Sequence, residues 1–122
     1  MPGDAGLGRW GEAWAARHLE RCGFRILHRN FRFHRNEIDL IARRGRLVVF
    51  VEVKSRTGAG YGHPLEAVTA AKRREIGRVA QAWIQRHGRP GDEYRFDAVA
   101  VWRRRQGPPS VEHVEGAWRW GE

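Results

Sequence analysis

The fold of this chain is decided by one apolar stretch, Leu47-Val48-Val49-Phe50-Val51-Glu52-Val53-Lys54. Its near-continuous apolar content predicts a central β-strand that is covered on both faces of its sheet. Side chains alternate along a strand, so Glu52 and Lys54 share one face at its polar end. Lys54 and Lys72 are the only lysines among 23 basic residues. A lysine at this position indicates a role that arginine cannot fill, because lysine is a compact ammonium and arginine stays charged under all ordinary conditions.

Helical and strand patterns extend outward from this strand in both directions. The predicted elements are a helix over residues 7–22, strands over 24–30, 37–42 and 47–54, a helix over 64–87, and strands over 94–102 and 111–115. A basic turn is expected over residues 31–36, where Asn36 would tolerate positive φ, and a glycine-rich loop over 57–62. Pro64 is expected in the first turn of the second helix, with Glu66 near its positive end. The order α-β-β-β-α-β-β predicts an α/β fold in which helices flank a mixed β-sheet.

Length and composition favour one soluble globular domain over residues 1–122. The chain is 41% hydrophobic and 30% charged, which is typical of a folded domain rather than a disordered one. Its longest apolar run, 47–51, is far shorter than the roughly 20 residues of a membrane helix, and no secretory signal is recognisable. Cys22 is the only cysteine, which excludes an internal disulfide and fits a reducing cytoplasm. We therefore expect a cytoplasmic protein with no membrane association.

The formal net charge of +9 favours a polyanionic partner, nucleic acid above all. Basic residues cluster at 43–46, 72–78 and 103–105. The expected nucleic-acid contacts are Arg43, Arg44, Arg56, Lys72 and Arg73. The alternative is that arginine is the default surface residue of this proteome, so charge by itself does not establish a reaction.

A second acidic strand lies upstream of the first, with Glu37, Asp39 and Ile41 on one face. The short connection at Gly45 makes the two strands antiparallel neighbours, which can bring Asp39 close to Glu52. Two adjacent carboxylates repel unless a cation neutralises them, and Mg²⁺ prefers such oxygen ligands. Lys54 would then orient or deprotonate an attacking water or stabilise charge on a phosphate. The alternative is an ordinary cross-strand ion pair, worth under roughly 1 kcal/mol.

Other polar residues leave two interpretations open. Glu12 on the first helix either reaches solvent or points into a site at the sheet edge. Lys72 lies in the apolar stripe of the second helix, where its stem packs or its ammonium contacts a phosphate beside the metal. Asp97 is expected to pair with an arginine or with backbone amides rather than with a metal. The segment 118–120, Trp-Arg-Trp, either stacks on bases or packs against the first helix.

The motifs together resemble a known family. Gly-Arg-Trp-Gly-Glu at 8–12, Glu-Ile-Asp-Leu-Ile-Ala at 37–42 and Phe-Val-Glu-Val-Lys-Ser-Arg at 50–56 closely resemble the YraN-like family of small bacterial proteins. Ala-Val at 67–68, Lys72 and Arg-Phe-Asp at 95–97 extend the resemblance over nearly the whole chain. That family is similar to the PD-(D/E)XK nuclease superfamily, and closest to archaeal Holliday-junction resolvases. Ile38 replaces the proline that the superfamily places before the aspartate, and Asn36 replaces a glycine.

The resemblance implies roles for individual residues. Asp39 and Glu52 would ligate Mg²⁺ or Mn²⁺, with the carbonyl of Val53 completing the set. Lys54 would serve the catalytic water, and Glu12 would assist from the helix. Because resolvases of this type act as dimers on branched DNA, a homodimer and a restriction-endonuclease-like core are expected.

Three functions follow as hypotheses. The first is a metal-dependent endonuclease that hydrolyses phosphodiester bonds in DNA, including branched or damaged DNA. The second is a non-catalytic nucleic-acid-binding module that retains the nuclease-like fold and the charge. The third is a scaffold that binds another protein through exposed tryptophans and its C-terminal segment. Cleavage distinguishes the first from the others, and salt-sensitive DNA binding distinguishes the second from the third.

Overall fold

The computed structural model describes the backbone of residues 2–57 and 68–122, with side chains from residue 6 onward in those ranges. Its elements are α1 (Pro2–Arg21), β1 (Arg25–Phe33), β2 (Asn36–Arg44), β3 (Leu47–Thr57), α2 (Ala70–His87), β4 (Glu93–Arg103) and β5 (Ser110–Trp118). The predicted element order and the α/β fold class are both confirmed.

The strands form one five-stranded mixed sheet in the order β1-β2-β3-β4-β5. The neighbouring strands are antiparallel except for β3 and β4, which are parallel. A parallel pair needs a crossover connection, and α2 lies in the segment that joins these two strands. The apolar strand β3 therefore occupies the middle of the sheet, as its sequence predicts.

Both faces of β3 are covered by hydrophobic cores. Val48 and Phe50 belong to the core on the α2 side, together with Trp83 of that helix. Val49 and Val51 belong to the core on the α1 side. These four side chains of β3 are fully buried. Burying a side chain of this size contributes roughly 1.5–3 kcal/mol, so this strand anchors both layers.

The first hairpin differs from the prediction. β1 continues to Phe33, which pairs with Asn36, so the expected basic turn shrinks to residues 34–35. Positive φ occurs at His34 (57°) and Asn30 (51°), whereas Asn36, which the sequence predicts only to tolerate positive φ, does not adopt it. A two-residue hairpin needs positive φ inside its turn, and Asn36 is already paired in β2. The strand continues because Phe31 and Phe33 pack against the α2-side core.

The helix α2 begins later than the sequence predicts. Thr69 is extended (φ −68°, ψ 165°), and its hydroxyl accepts a hydrogen bond from the Lys72 amide at 3.2 Å, which caps a helix that starts at Ala70. The predicted glycine-rich loop beyond Thr57, and the placements of Pro64 and Glu66, lie outside the described residues. Neither α1 nor α2, in the part of the chain that the structure describes, is long and apolar enough to cross a membrane.

Candidate active site

The acids of β2 and β3 meet where the ladder between these strands ends. The last paired residues are Leu40 and Val51, so Asp39 and Glu52 occupy the next positions along the two strands. Beyond that point the Val53 amide donates to Asp39 Oδ2 at 2.7 Å. The Asp39 carboxylate thus accepts the hydrogen bond that a backbone carbonyl of the neighbouring strand would otherwise accept. The predicted approach of Asp39 to Glu52 is confirmed.

Asp39 and Glu52 behave as a coupled pair of carboxyl groups. The pKa of Asp39 is raised to about 8, first by burial and then by the negative charge of Glu52 and a hydrogen bond with it, although the Val53 amide lowers the pKa. Glu52 is only 5% exposed. Among the described residues, no basic side chain pairs with Asp39. Asp39 therefore retains a proton near neutral pH, at a position where a divalent cation would replace that proton.

Both lysines of the chain converge on Glu52. Its Oε2 lies 3.3 Å from Lys54 Nζ and 3.8 Å from Lys72 Nζ. Lys54 follows Glu52 on the same strand face, whereas Lys72 reaches it from the first turns of α2. The Lys54 and Lys72 side chains remain partly exposed, at 26% and 35%. Lys72 thus lies at the site, where both lysines are placed to hold an anionic group brought beside Glu52.

Glu12 approaches the same acids from α1. It is half-buried, and the pKa of its carboxyl is raised by burial first and then by the negative charges of Glu37 and Glu52, against a hydrogen bond from Asn30. Asn30 Nδ2 donates to Glu12 at 3.2 Å and to Glu37 at 3.4 Å. Of the two sequence interpretations, the structure supports the one in which Glu12 lies beside the acids at the sheet edge.

Gly11 permits this approach of α1. A Cβ at Gly11 would overlap Ser55 Oγ and come within 2.9 Å of Ser55 Cβ. Since such a separation does not occur between real side chains, only glycine allows α1 to lie this close to β3 beside the acids. Gly11 belongs to the Gly-Arg-Trp-Gly-Glu motif, but the sequence did not reveal its contact, because Ser55 lies on a distant element.

The donor set fits a hard divalent cation that keeps most of its waters. In the described residues, no three His, Cys, Asp or Glu side chains come together as a complete metal site. Asp39 and Glu52 provide two carboxylates, and Mg²⁺ is commonly bound by one or two carboxylates together with waters and substrate phosphate oxygens. The carbonyl of Val53 stays a predicted third ligand. Its amide already holds Asp39 in place.

Arg43 has to be removed from the expected nucleic-acid contacts. Its guanidinium donates to both oxygens of Asp92, at 2.7 and 2.9 Å, and Arg43 is only 8% exposed. This ion pair holds the pKa of Asp92 at about 2. Because this fork-shaped pair is buried, the Arg43 guanidinium is not available to a phosphate in solution. The sequence could not reveal this, since Asp92 lies far along the chain.

The other expected contacts differ in their surroundings. Arg44 is exposed, donates to the Cys22 carbonyl at 2.8 Å and lies over Phe24. Arg56 is half-buried and donates to the Ser55 carbonyl at 3.2 Å, close to the acids along β3. Lys72 and Arg73 are neighbours on α2. Arg56, Lys72 and Arg73 therefore surround one region, whereas Arg44 follows the opposite end of β2.

Asp97 has a structural role in this protein, as predicted. It is fully buried and accepts from Arg95 at 2.8 and 2.9 Å, from His113 Nε2 at 2.8 Å and from the Gly116 amide at 3.0 Å. These donors together outweigh the effect of burial, and the pKa of Asp97 is lowered. Its carboxylate joins β4 to β5 and has no free lone pair directed at the acids of β2 and β3.

The fold and the site together define an α/β protein with a mixed sheet. Its paired acids and Lys54 lie on the neighbouring strands β2 and β3, and Lys72 lies on the helix α2. The chain belongs to the uncharacterised protein family UPF0102, whose family model matches residues 11–101. That match covers the Glu12, Asp39, Glu52 and Lys54 positions, and it confirms the resemblance to the YraN-like family.

Several relatives are similar over nearly their whole length. A UPF0102 protein of Parafrankia sp. (strain EAN1pec) is 49% identical over 111 residues, which cover 91% of this chain and 94% of the relative. One of Rhodococcus jostii (strain RHA1) is 45% identical over 117 residues, covering 96% and 99%. One of Geobacter sulfurreducens is 46% identical over 111 residues, covering 91% and 87%. The names of these relatives state the family and no activity.

Proposed function

We propose that this protein is a cytoplasmic, metal-dependent endonuclease that hydrolyses phosphodiester bonds in DNA, with branched or damaged DNA as its substrate. The observation that carries the proposal is the convergence of both lysines on Glu52, next to an Asp39 that holds a proton in the absence of metal. Two adjacent carboxylates with two ammonium groups beside them can hold a divalent cation and a phosphate next to each other, which is what metal-assisted phosphodiester hydrolysis uses.

The mechanism assigns one role to each side chain. Asp39 and Glu52 would hold Mg²⁺ or Mn²⁺, which would act as a Lewis acid on the phosphate and lower the pKa of the attacking water. Lys54, beside Glu52, positions the attacking water and stabilises charge on the phosphate. Lys72 binds a neighbouring phosphate oxygen from α2. Glu12 adds negative charge behind the acid pair, and its half-buried carboxyl accepts a proton from the water network of the site.

The proposal is tested by cleavage of labelled four-way junction, flap, single-stranded and linear duplex DNA in Mg²⁺ or Mn²⁺. Wild type is expected to cut at least one of these, and Asp39→Asn to cut none. Lys54→Gln is expected to lower the rate by about 10²- to 10⁴-fold. Glu93→Gln is the matched control, because Glu93 is an exposed carboxylate at the start of β4. Its rate should equal that of wild type.

Lys54→Arg separates the two roles of the lysine. Arginine preserves the positive charge but stays protonated, so it cannot accept a proton from the water. A rate close to that of wild type would assign phosphate stabilisation to Lys54. A rate close to that of Lys54→Gln would assign proton handling. Equal cleavage by wild type, Asp39→Asn and Lys54→Gln would refute the proposed site.

The second candidate is a binding module without catalysis, which is favoured by the ion pairs that already neutralise Glu52. Binding that is equally strong with EDTA and with Mg²⁺, together with no cleavage of any of the four DNA forms, would establish it. The resemblance to resolvases adds the proposal of a homodimer, which light scattering of the purified protein tests directly.

A further inference from the structure

A cleft of about 280 Å³ lies between α2 and the end of the chain, beside the candidate active site. We name it the α2–C-terminal cleft. The residues that define it are Arg74, Gly77, Arg78, Phe96, Arg119 and Trp120. It combines an aromatic surface with arginines, and none of these six residues has a role in the proposed cleavage step.

The Trp-Arg-Trp segment divides its two tryptophans between core and surface. Trp118 is 4% exposed and stacks on Phe96, with ring centroids 5.4 Å apart and an interplanar angle of 14°. Trp120 meets Phe96 edge-on, at 4.6 Å and 74°, and remains 43% exposed. Trp120 is the only large hydrophobic side chain that is exposed among the described residues. Core packing therefore explains Trp118 and leaves Trp120 without an explanation.

Trp120 is held in place rather than free to turn. Its ring lies over Gly77 of α2, where a Cβ would be 3.7 Å from Trp120 Cζ3. The indole therefore packs close to the helix at Gly77, and Phe96 supports it from the sheet. An aromatic ring that is fixed on one side and open to solvent on the other can stack on a planar ligand at little entropic cost.

Positive charge surrounds this ring. Arg74 and Arg78 are exposed on consecutive turns of α2, and Arg119 is exposed next to Trp120. Within the ranges 6–57 and 68–122, none of these three arginines pairs with a carboxylate. Glu122 also lines the cleft, and its carboxylate accepts from the Arg119 amide at 2.6 Å. The three free guanidinium groups favour an anionic ligand with several charges, such as the phosphates of a strand.

The cleft continues directly from the candidate active site along α2. Lys72 reaches Glu52 at 3.8 Å, while the next residue, Arg73, lies over the Trp118 ring at 5.6 Å. Adjacent positions of one helix therefore contact the acids on one side and the wall of the cleft on the other. A strand whose phosphate lies at Lys72 would bring its neighbouring nucleotides toward Trp120.

We propose that the α2–C-terminal cleft binds unpaired nucleotides of DNA, with one base stacked on Trp120 and flanking phosphates held by Arg74, Arg78 and Arg119. This inference rests on the proposed nuclease function and specifies its substrate, which must carry a single-stranded segment next to the cleaved bond. A base inside a duplex has both faces stacked on its neighbours and cannot offer one to Trp120. Flaps and gaps meet this requirement.

The test measures binding in EDTA, so that it is independent of cleavage. A labelled oligothymidine of roughly ten nucleotides and a duplex of the same length are titrated with wild type, Trp120→Ala and Trp120→Phe, using fluorescence anisotropy. Loss of stacking should weaken binding of the single strand about 5- to 150-fold in Trp120→Ala. Trp120→Phe retains an aromatic face and should stay within about threefold of wild type. Duplex binding should change little.

Arginine variants test the charged part of the cleft separately from the tryptophan. Arg78→Ala should weaken binding of the oligothymidine and reduce its salt dependence by about one unit of slope. Arg21→Ala is the matched control, because Arg21 is exposed on α1, away from the cleft. Circular dichroism of each variant verifies folding. If Trp120→Ala fails to fold, Arg78→Ala and Trp120→Phe still decide the question.

Several outcomes would overturn the inference. They are absence of single-strand binding by wild type, equal binding by Trp120→Ala, or equal losses in Arg78→Ala and Arg21→Ala. Competition by a polyglutamate peptide as effective as that by oligothymidine would show a general anion or peptide site instead. Failure of the nuclease proposal can be distinguished from failure of this inference. If the wild type never cleaves DNA but needs Trp120 to bind the single strand, catalysis is refuted and the binding role of the cleft is retained.

Discussion

Replacing Asp39 by asparagine should make the metal-free protein less sensitive to alkaline pH. The native pKa of this carboxyl is about 8, because burial and the charge of Glu52 disfavour its ionised form. Asparagine resembles the protonated acid, since it can still accept from the Val53 amide and donate to Glu52. The variant therefore removes the titration while retaining both hydrogen bonds.

The sign of the effect follows from the direction of the pKa shift. An aspartate of ordinary pKa, 3.8, is already ionised in the unfolded chain at pH 6, whereas the native carboxyl still holds its proton there. The free energy of unfolding therefore falls as pH rises from 3.8 toward about 8. Between about pH 6 and about pH 8 the loss amounts to at most about 2 kcal/mol. That corresponds to a decrease in Tm of about 8 °C for a domain of this size.

The assay is thermal and urea denaturation of wild type and Asp39→Asn in EDTA at these two pH values. Between the two pH values, the free energy of unfolding should fall further in wild type than in the variant, by at most about 2 kcal/mol. Contributions from other titrating groups cancel in this comparison. Glu93→Gln, an exposed carboxylate changed to an amide, should keep the pH dependence of wild type. Identical pH dependence in wild type and Asp39→Asn would show that Asp39 is ionised at neutral pH, and the account of the coupled acid pair would be wrong.

Metal provides a second measurement on the same residue. Binding of Mn²⁺ requires the ionised form of Asp39, so it should release a proton near neutral pH and stabilise the wild type more at about pH 8 than at about pH 6. Asp39→Asn should show little stabilisation at either pH. An equal Mn²⁺-induced rise in Tm for both proteins would place the metal elsewhere on the chain.

Three further substitutions test the framework of the site by urea denaturation. Gly11→Ala forces a Cβ against Ser55 and should lower the free energy of unfolding by about 1–3 kcal/mol. In Gly77→Ala the new Cβ makes only ordinary contacts, so this variant should gain up to about 1 kcal/mol through helix propensity. Equal effects of the two substitutions would contradict the close approach of α1 to β3. Arg43→Ala leaves Asp92, whose side chain is 2% exposed, as a buried unpaired charge and should cost about 3–5 kcal/mol. A loss below about 1 kcal/mol would refute a structural role for Arg43.

Patterns that depend on near neighbours in the sequence were predicted well. The order of the elements, the central position of β3 and the approach of Asp39 to Glu52 are all confirmed. Each depends on alternation along a strand or on a short connection, and those constraints act over a few residues. Boundaries were less accurate, as the start of α2 shows, because Thr69 ends the extended segment through its own hydrogen bond with the Lys72 amide.

The sequence by itself therefore determined the α/β architecture, the family and the pairing of two acids on adjacent strands. Only the tertiary structure decided which basic residues serve the site. It brought Lys72 to Glu52 across two layers, buried Arg43 against Asp92, and separated Trp118 in the core from Trp120 at the surface. The physical reason is that a charge or a ring in the sequence carries no information about its partner, which is set by the packing of elements distant along the chain.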